Sequence, residues 1–360
     1  MREFVETMAG SKPTSRKRRT PKVSIYQLAA ETSFSPSTVS RALRNQPEIG
    51  AATREQIRKH AERLGFKFRV FEPRITNICA LIQTAPGQTS LFSSFVEAIM
   101  DGMWQYCTEH DLELSVFGAD ADRLNSGDLG RVLGRRGVSG AVVINASEDS
   151  RFLVKLNQER FPYACVATAP KEGLATLVTG NNEQLTQRAV SFLRQVGHRR
   201  IALLDSLSER LHAGIERRAA FVQSMAGAEP LVISHRDLAG PAQDDFEFAR
   251  VATRQLISRS PRPTAILAMS AEQGVSVIHT AGELGLTVPR DLSVLCFDDS
   301  RLCAFTNPPL TVASVSYQRI GYAAARLVHR RIDKIGEEGG QVLSGELVIR
   351  ESTGAPPAGV

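Results

Sequence analysis

A short run of hydroxyl and guanidinium side chains near the N-terminus has the chemistry of a nucleic-acid reader. The polar side chains are Ser37, Thr38, Ser40, Arg41 and Arg44, and they recur at helical spacing around the apolar Val39 and Leu43. An arginine can hydrogen-bond a guanine edge in two places, while serine and threonine hydroxyls reach phosphates or bases. Any one of these residues would also suit the solvated side of a helix in an ordinary bundle. As an ordered set, they favour a helix whose polar side lies against duplex DNA.

The neighbouring residues supply the elements that would position this run. Ser24 can cap a first helix, and Ala29 and Ala30 would let a second helix approach it closely. Ser35 can cap the second helix, with Pro36 at its favoured first position. Helical patterns cover Ile25–Glu31, Ser37–Arg44 and Thr53–Leu64, with loops too short for strands between them. Leu28, Phe34 and Val39 would form their shared apolar core. The spacing predicts a compact all-α head that contains a helix-turn-helix.

The charge of the chain is unevenly distributed. The net charge is +6, and residues 1–70 hold 15 Lys and Arg against 6 Asp and Glu, whereas the other 290 residues hold 29 against 32. Residues 1–20 are polar and basic, which is typical of a disordered arm. A basic head on a nearly neutral body suits a module that binds a polyanion.

After residue 77 the pattern changes to short apolar runs that alternate with amphipathic helices. The predicted strands are Ile78–Gln83, Leu112–Phe117, Gly140–Asn145, Tyr163–Ala167, Arg200–Asp205, Leu231–Ser234, Thr264–Met269, Leu292–Phe297 and Val342–Ile349. Runs with little internal alternation are typical of strands buried on both faces, so the body should be doubly wound parallel α/β. Nine strands exceed one typical sheet, which favours two lobes with a cleft between them.

Several classes of protein are disfavoured by what the sequence lacks. There is no run of eighteen apolar residues and no secretory leader pattern, so we expect a cytoplasmic protein without a membrane partner. The five cysteines are far apart and form no Cys-x-x-Cys pair, which favours buried thiols over structural zinc. Nucleotide-binding glycine loops, a nucleophile elbow and a zinc-protease helix are also missing. We therefore expect neither an enzyme nor a bound cofactor or metal.

Longer stretches of the sequence resemble the lactose-repressor (LacI/GalR) family of transcriptional regulators. The resemblance rests on residues 23–30, 34–43, 53–55 and 64–66 of the head and on residues 138–144, 197–203, 288–294, 297–299 and 308–311 of the body. It implies a helix-turn-helix domain over residues 21–70, a short linker or atypical hinge over 71–77, and a periplasmic-binding-protein-like body over 78–355. The body would bind an effector and dimerise. The implied function is that of a regulator, with repression favoured, whose homodimer reads a roughly palindromic double-stranded DNA operator and responds to a small molecule.

The resemblance also assigns roles to head residues. Pro36, Ser37 and Arg41 would face base edges. The residues that would contact or lie near phosphates are Ser24, Tyr26, Ser35, Thr38 and Ser40. Arg44 completes the predicted DNA-binding set on the residue pattern alone.

Two positions in and after the head depart from the family. Ser33 stands at a turn position that is usually glycine, and it must then adopt an uncommon backbone conformation. The family's hinge helix, with its leucine wedge for the minor groove, is not recognisable in residues 67–77. The sequence therefore leaves open whether an inserted side chain bends the operator.

The residues that match the family's effector cleft give a mixed indication. Arg217 and Asp298 suit a polar ligand, and Ser90 and Phe92 would lie on the rim of the first lobe. Other polar groups are lost, because Ala167 replaces an aspartate and Ser270-Ala271 replace an Asn-Asp pair, although Ser270 stays a cleft candidate. The lobes would comprise residues 76–175 with 305–333, and 178–304 with the C-terminal stretch. The effector could be a sugar, a sugar-derived metabolite, or a less hydroxylated or more apolar compound. The alternative is a regulator whose cleft no longer binds a ligand.

Four features have simpler structural interpretations. Arg217 could form a surface ion pair with a neighbouring acid. Asp298 and Asp299 follow a buried strand and suit a loop cap better than a metal pair. His198 would interact with a helix dipole, and Trp104 would belong to the core.

Overall fold

The structure is a computed structural model that describes residues 23–43, 48–66, 76–84, 93–147, 150–166, 168, 176–206, 211–238, 242, 244–335 and 339–357. The chain divides into two compact units, Met1–Arg74 and Ile75–Val360. The predicted basic arm, Arg44 and residues 67–75 lie outside the described residues, so the arm and most of the linker stay predictions.

The first unit, the head, consists of three helices around a small apolar core. The helices are α1 (Ile25–Thr32), α2 (Pro36–Leu43) and α3 (Ala51–Arg63). Buried side chains from all three helices meet in the centre, with Leu28, Val39 and Ile57 completely buried and Phe34 packed against them. The three predicted helices and their shared core are confirmed, with ends that differ by at most two residues.

Local hydrogen bonds fix the ends of the head helices. Ser24 and Gln27 form a reciprocal capping box at the start of α1. The Thr38 amide donates to the Ser35 hydroxyl over 3.1 Å at the start of α2, so both predicted caps are present. Ser33 ends α1 in the left-handed region at φ 60°, the uncommon conformation expected where the family has glycine.

The second unit, the body, contains two six-stranded sheets covered by helices. The strands are β1 (Asn77–Thr84), β2 (Glu113–Asp120), β3 (Gly140–Ile144), β4 (Tyr163–Val166), β5 (Thr176–Gly180), β6 (Ile201–Asp205), β7 (Leu231–Ser234), β8 (Ala265–Ala268), β9 (Ser293–Phe297), β10 (Thr311–Ser314), β11 (Gln341–Leu343) and β12 (Glu346–Val348). The helices are α4 (Ser94–Glu109), α5 (Ala121–Asn125), α6 (Leu129–Arg135), α7 (Arg151–Gln158), α8 (Asn182–Val196), α9 (His212–Ser224), α10 (Asp245–Ile257), α11 (Ala271–Glu283), α12 (Arg301–Phe305) and α13 (Tyr317–Ile332). Every described cysteine is buried and free, as expected.

Each sheet forms the centre of one lobe. The order of lobe 1 is β11-β5-β4-β3-β1-β2, and that of lobe 2 is β12-β10-β9-β8-β6-β7. All neighbouring strands are parallel except β10 and β12, which are antiparallel. Strands β3, β6, β8 and β9 are buried along their whole length, which explains why their sequences are apolar except for Asp205 at the end of β6 and Ser293 at the start of β9. The predicted two-lobed, doubly wound body is confirmed.

The chain crosses between the lobes three times, but the predicted boundaries of the lobes were wrong. Strand β5 belongs to lobe 1, and β10 belongs to lobe 2 although residues 305–333 were assigned to lobe 1. Neither β5 nor β10 was predicted as a strand. The predicted strand Val342–Ile349 is two short strands in different sheets, because the third crossing lies between β11 and β12.

Two glycines bring the main helices of lobe 1 into close contact. A Cβ atom at Gly102 of α4 would overlap the carbonyl oxygen of Gln318, and one at Gly321 of α13 would overlap that of Ile99. Each glycine therefore lies against the main chain of the opposite helix. Only glycine permits this separation between α4 and α13 without displacing one of them.

His198 lies in the interior of lobe 2. Its amide donates to the Leu193 carbonyl oxygen and so caps the end of α8, as predicted, but its side chain is buried among other partners and the expected role of the imidazole beside the helix end was wrong. His198 follows Gly197, which ends α8 in the left-handed region. The imidazole contacts the Thr264 hydroxyl at 2.9 Å, the Ser293 hydroxyl at 3.0 Å and the Gly354 carbonyl oxygen at 2.9 Å. Burial lowers the pKa of His198 below 6.5, and the bond to Gly354 opposes the shift. The neutral imidazole thus ties the C-terminal segment to lobe 2.

This arrangement predicts a stability that depends on pH. The unfolded chain takes up the His198 proton near pH 6.5 and the folded chain only at lower pH, so stability is full above 6.5 and declines as the pH falls. His198→Gln should abolish that part of the slope in urea unfolding between pH 7.5 and 5. Identical slopes for His198→Gln and wild type would contradict the assignment.

Candidate functional site

Helix α2 presents a polar, solvent-exposed side to the outside of the head. Val39, Ala42 and Leu43 are buried, while Ser35, Pro36, Ser37 and Arg41 are exposed and Thr38 and Ser40 are half-buried. Burial of one side thus leaves the predicted reading residues on the other. Arg41 forms no ion pair with a described acidic residue, so its guanidinium is available to a partner.

The hydroxyl groups at the start of α2 are already organised. The Ser35 hydroxyl accepts from the Thr38 amide and lies 2.7 Å from the Ser37 hydroxyl and 2.9 Å from the Thr38 hydroxyl. Three hydroxyls are therefore held next to the N-terminus of a helix, where the backbone amides favour negative charge. This end of α2 has the chemistry to hold a phosphate group.

The rest of the described head contributes further polar groups. Tyr26 on α1 is 73% exposed, which leaves its phenol free to contact a partner, and Ser24 caps the same helix. Arg63 of α3 pairs with Glu31 of α1 over 3.0 Å and ties the two helices together. The predicted DNA-binding residues other than Arg44 thus lie on α1, on α2 or at their N-termini.

In the body, Arg217 is the centre of a buried hydrogen-bonded group. It lies on α9 and is only 3% exposed. Its Nε donates to the Asn182 side-chain oxygen over 3.1 Å, and its Nη1 donates to the Met269 carbonyl oxygen over 3.1 Å. Its Nη2 lies 3.4 Å from Asp298 Oδ1 and donates to the Tyr317 hydroxyl over 2.8 Å. The surface ion pair considered from the sequence is wrong, because this guanidinium is buried.

Asp298 and Tyr317 complete this group. The Tyr317 hydroxyl donates to Asp298 Oδ1 through a short hydrogen bond. Burial raises the pKa of Asp298, and Arg217 and Tyr317 oppose that shift. Burial also raises the pKa of Tyr317, so the phenol keeps the proton that it donates. Burial lowers the pKa of Arg217, but Tyr317 and Asp298 outweigh it and the net shift is upward.

Arg217 also stacks on an aromatic ring. Its guanidinium carbon lies 4.3 Å from the centroid of Phe297, the last residue of β9. A cation held over a ring face out of water gains electrostatic attraction. The ring and the four hydrogen-bond acceptors fix the guanidinium in one orientation.

Ser270 lies in a neighbouring network and not in direct contact with Arg217. Its hydroxyl caps α11 by accepting from the Gln273 amide and donates to Asp245 over 3.0 Å. Gln273 is buried and accepts from the Met269 amide over 3.0 Å. Met269 therefore links this network to Arg217 through its main chain.

The other candidate groups of the cleft are accounted for separately. Asp299 accepts two hydrogen bonds from Arg350, each 2.9 Å long, so it is a partner of that arginine. Among the described residues, no three His, Cys, Asp or Glu side chains lie close enough to hold a metal ion. Ser90, Phe92 and Ala167 lie outside the described residues, so their assignment to the cleft stays a prediction.

Two members of the Arg217 group were not found by sequence reasoning. Asn182 and Tyr317 each follow a strand, β5 and β10, that was not predicted. Since the ends of parallel strands meet at one edge of a sheet, recognising those strands would have placed both side chains near the cleft. Trp104, which was expected in the core, is 64% exposed on α4.

A second contact joins the lobes at the start of α4. Both the amide and the hydroxyl of Ser94 in lobe 1 donate to Glu272 Oε1 of α11 in lobe 2, over 3.1 and 2.6 Å. Next to it, the ring of Phe95 packs edge-on against Tyr317 at a centroid distance of 4.6 Å. The Ser94–Glu272 contact therefore bridges the two lobes, and the Phe95–Tyr317 contact lies beside it within lobe 1.

Comparison with known proteins finds relatives over nearly the whole chain. Residues 190–353 match the model of a periplasmic binding protein-like domain. The HTH-type transcriptional regulator reg1 of Streptomyces lividans is 27% identical over 344 residues, which cover 92% of this chain and 97% of that protein. Catabolite control protein A of Priestia megaterium is 24% identical over 318 residues, which cover 87% of this chain and 93% of that protein.

Solved structures share the fold. A complex of the transcriptional regulator CelR with cellobiose matches with a TM-score of 0.67 and 24% identity, over 92% of this chain and 100% of that one. The lac repressor dimer bound to operator and the anti-inducer ONPF matches with a TM-score of 0.70 and 18% identity, over 93% of this chain and 100% of that one. In the described part of the chain, no helix is both long enough and apolar enough to span a membrane.

The geometry of the cleft predicts a large loss of stability when Arg217 is removed. Arg217→Ala would leave the Asp298 carboxyl buried without its cation, which should lower the free energy of unfolding by about 3–5 kcal/mol in urea titrations. The control is Arg254→Ala, because Arg254 pairs with Glu283 at the surface and should contribute less than about 1 kcal/mol. Equal small losses for both variants would show that Arg217 does not hold the cleft together.

Proposed function

We propose that the chain is a transcriptional regulator of the lactose-repressor (LacI/GalR) type, like the regulators that it resembles over nearly its whole length. In this proposal it binds a roughly palindromic DNA operator as a homodimer, and a small molecule in the cleft alters this binding. Its curated relatives are regulators and not enzymes. Repression is the favoured outcome of operator binding. The protein acts in the cytoplasm, where its DNA is accessible.

The observation that carries the proposal is the exposed polar side of α2. Each head places α2 in a major groove, where Pro36, Ser37 and Arg41 face base edges. Phosphates on either side are held by a second group, which consists of Ser24, Tyr26, Ser35, Thr38 and Ser40. Arg44 completes the proposed DNA-binding set. The excess of basic residues in positions 1–70 adds attraction that does not depend on sequence and weakens with salt.

The effector response rests on Arg217 and Asp298, which lie together in the cleft. A guanidinium and a carboxyl in one buried place suit a ligand that carries hydroxyl groups, such as a sugar or a metabolite derived from one. Ser90, Phe92 and Ser270 are the further residues proposed to line this site. Effector binding changes the angle between the lobes, and this change alters the spacing of the two heads of the dimer. A coupling free energy of about 1–3 kcal/mol between effector binding and operator binding is enough for regulation.

One observation favours a second candidate function. Each of the three nitrogen atoms of the Arg217 guanidinium already donates within the protein, and Asp298 already accepts from Tyr317. A cleft in which Arg217 and Asp298 already have hydrogen-bond partners suits a regulator that binds DNA without an effector. Thermal unfolding of the full chain with single metabolites separates the two candidates, because a ligand that binds only the folded state raises the melting temperature. If no compound in a large panel of sugars raised the melting temperature, the second candidate function would be favoured.

The direct test of operator binding is selection of fragments from the source genome by the purified full chain. A true operator should be recovered repeatedly as fragments that share one two-fold symmetric sequence, since both heads of a dimer read it. Failure to retain any double-stranded fragment at low ionic strength, with and without metabolites, would overturn the proposal.

The role of Arg41 can be tested on the selected operator. Arg41→Ala should weaken binding by about 1–3 kcal/mol and relax the preference at one base pair of each half-site if its guanidinium reads a guanine. Lys59→Ala removes a positive charge from the exposed side of α3, where Lys59 pairs with Glu55 of the same helix, and should weaken operator and random DNA equally. Fluorescence anisotropy on operators with single substitutions distinguishes the variants, and an unchanged preference in Arg41→Ala would remove that residue from base reading.

A further inference from the structure

The ring of Tyr317 contacts lobe 1, and its hydroxyl contacts lobe 2. It is the first residue of α13, the helix that follows the crossing from β10 in lobe 2 back to lobe 1. Its ring packs against Phe95 of lobe 1, whereas its hydroxyl contacts Arg217 and Asp298 of lobe 2. The whole side chain is buried, with 8% of the residue exposed. Separation of the lobes would have to break one set of these contacts.

The hydroxyl of Tyr317 uses both of its hydrogen-bonding capacities in the cleft. It accepts from Arg217 Nη2 over 2.8 Å and donates to Asp298 Oδ1. These are the bonds that a hydroxyl group of a bound molecule would make with the same two residues. A carboxylate could accept from Arg217, but it would place a second negative charge beside Asp298.

We propose that the Tyr317 hydroxyl is an internal ligand, which takes the place of an effector hydroxyl between Arg217 and Asp298 and holds the two lobes together when the cleft is otherwise empty. The inference rests on the proposed function, because it concerns the same cleft. It limits an effector at this position to compounds that can displace a phenol, namely those with a hydroxyl group that both accepts and donates. Simple carboxylates are excluded.

The contact between Ser94 and Glu272 gives a readout of lobe closure. The first amides of a helix have no partner within the helix, but the Ser94 amide is hydrogen-bonded to Glu272 of the other lobe. Protection of this amide from exchange therefore depends on the lobes staying together. Exchange of the Ser94 amide therefore measures the effect of Tyr317 on lobe closure at a different contact, and the measurement needs no DNA.

The first experiment replaces the internal ligand with an external one. Tyr317→Ala removes the ring and the hydroxyl, and 4-methylphenol has the size and the hydroxyl to restore both. We expect 4-methylphenol to raise the melting temperature of the full-length variant by about 2–4 °C. Toluene, which lacks only the hydroxyl, should have a clearly smaller effect, and wild type should respond to neither compound. Equal effects of the two compounds on the variant, or an equal response of wild type, would overturn the proposal.

The second experiment uses a milder change in case Tyr317→Ala does not fold. Tyr317→Phe keeps the ring and removes two hydrogen bonds with charged partners, so exchange of the Ser94 amide should become roughly tenfold faster. Hydrogen exchange with residue-level mass spectrometry measures the rate. The matched control is Tyr163→Phe, since the buried Tyr163 hydroxyl donates to Leu153 within lobe 1 and its loss should leave the Ser94 amide unchanged. Unaltered exchange in Tyr317→Phe would contradict the proposal.

Neither experiment uses an operator or a natural effector. The internal ligand could therefore fail while genomic fragments are still selected, and the selection could fail while 4-methylphenol restores Tyr317→Ala. The two hypotheses are thus separable by the pattern of results.

Discussion

Removing the Arg217 guanidinium from water costs several kcal/mol unless its donors find acceptors. Those acceptors come from four segments that are far apart in sequence: Asn182, Met269, Asp298 and Tyr317. Each segment must be in place before the charge is satisfied. The ends of several strands, the start of α13 and the relation of the two lobes therefore depend on one buried cation.

The same constraint accounts for the backbone of Asp298. This residue has φ 74°, in the left-handed region that residues other than glycine, asparagine and aspartate rarely adopt. The conformation turns the carboxyl towards Arg217 and Tyr317, while the next residue, Asp299, pairs with Arg350. Two adjacent aspartates thus contact two separate arginines.

Local signals in the sequence were sufficient for the head and for most of the body. Ser24, Ser35 and Pro36 mark helix starts through contacts within three residues, and completely buried strands such as β3 are apolar along their whole length. Strands β5 and β10 contain only two consecutive apolar residues each, Leu177-Val178 and Val312-Ala313, so they lack that signature. The lobe boundaries and Tyr317 were missed with them. Contacts such as those of Tyr317 depend on sheet order, which no local pattern contains.

The two misjudged side chains, Trp104 and His198, show the same limit. An amphipathic pattern in α4 does not say how wide its covered side is, and Trp104 lies beyond it. His198 follows a helix end as a dipole partner would, but the chain turns inward there and Thr264, Ser293 and Gly354 surround the ring. Sequence spacing indicates which element a residue belongs to, and tertiary packing decides what its side chain meets.

The glycine contacts between α4 and α13 make these two helices one rigid unit. Gly102 and Gly321 lie against opposing main chain, so neither helix can slide without carrying the other with it. Tyr317 stands at the start of one helix and Ser94 at the start of the other. The contacts of Tyr317 and of Ser94 with lobe 2 are thus made by one rigid unit. We expect them to break together, so that opening of the lobes is cooperative.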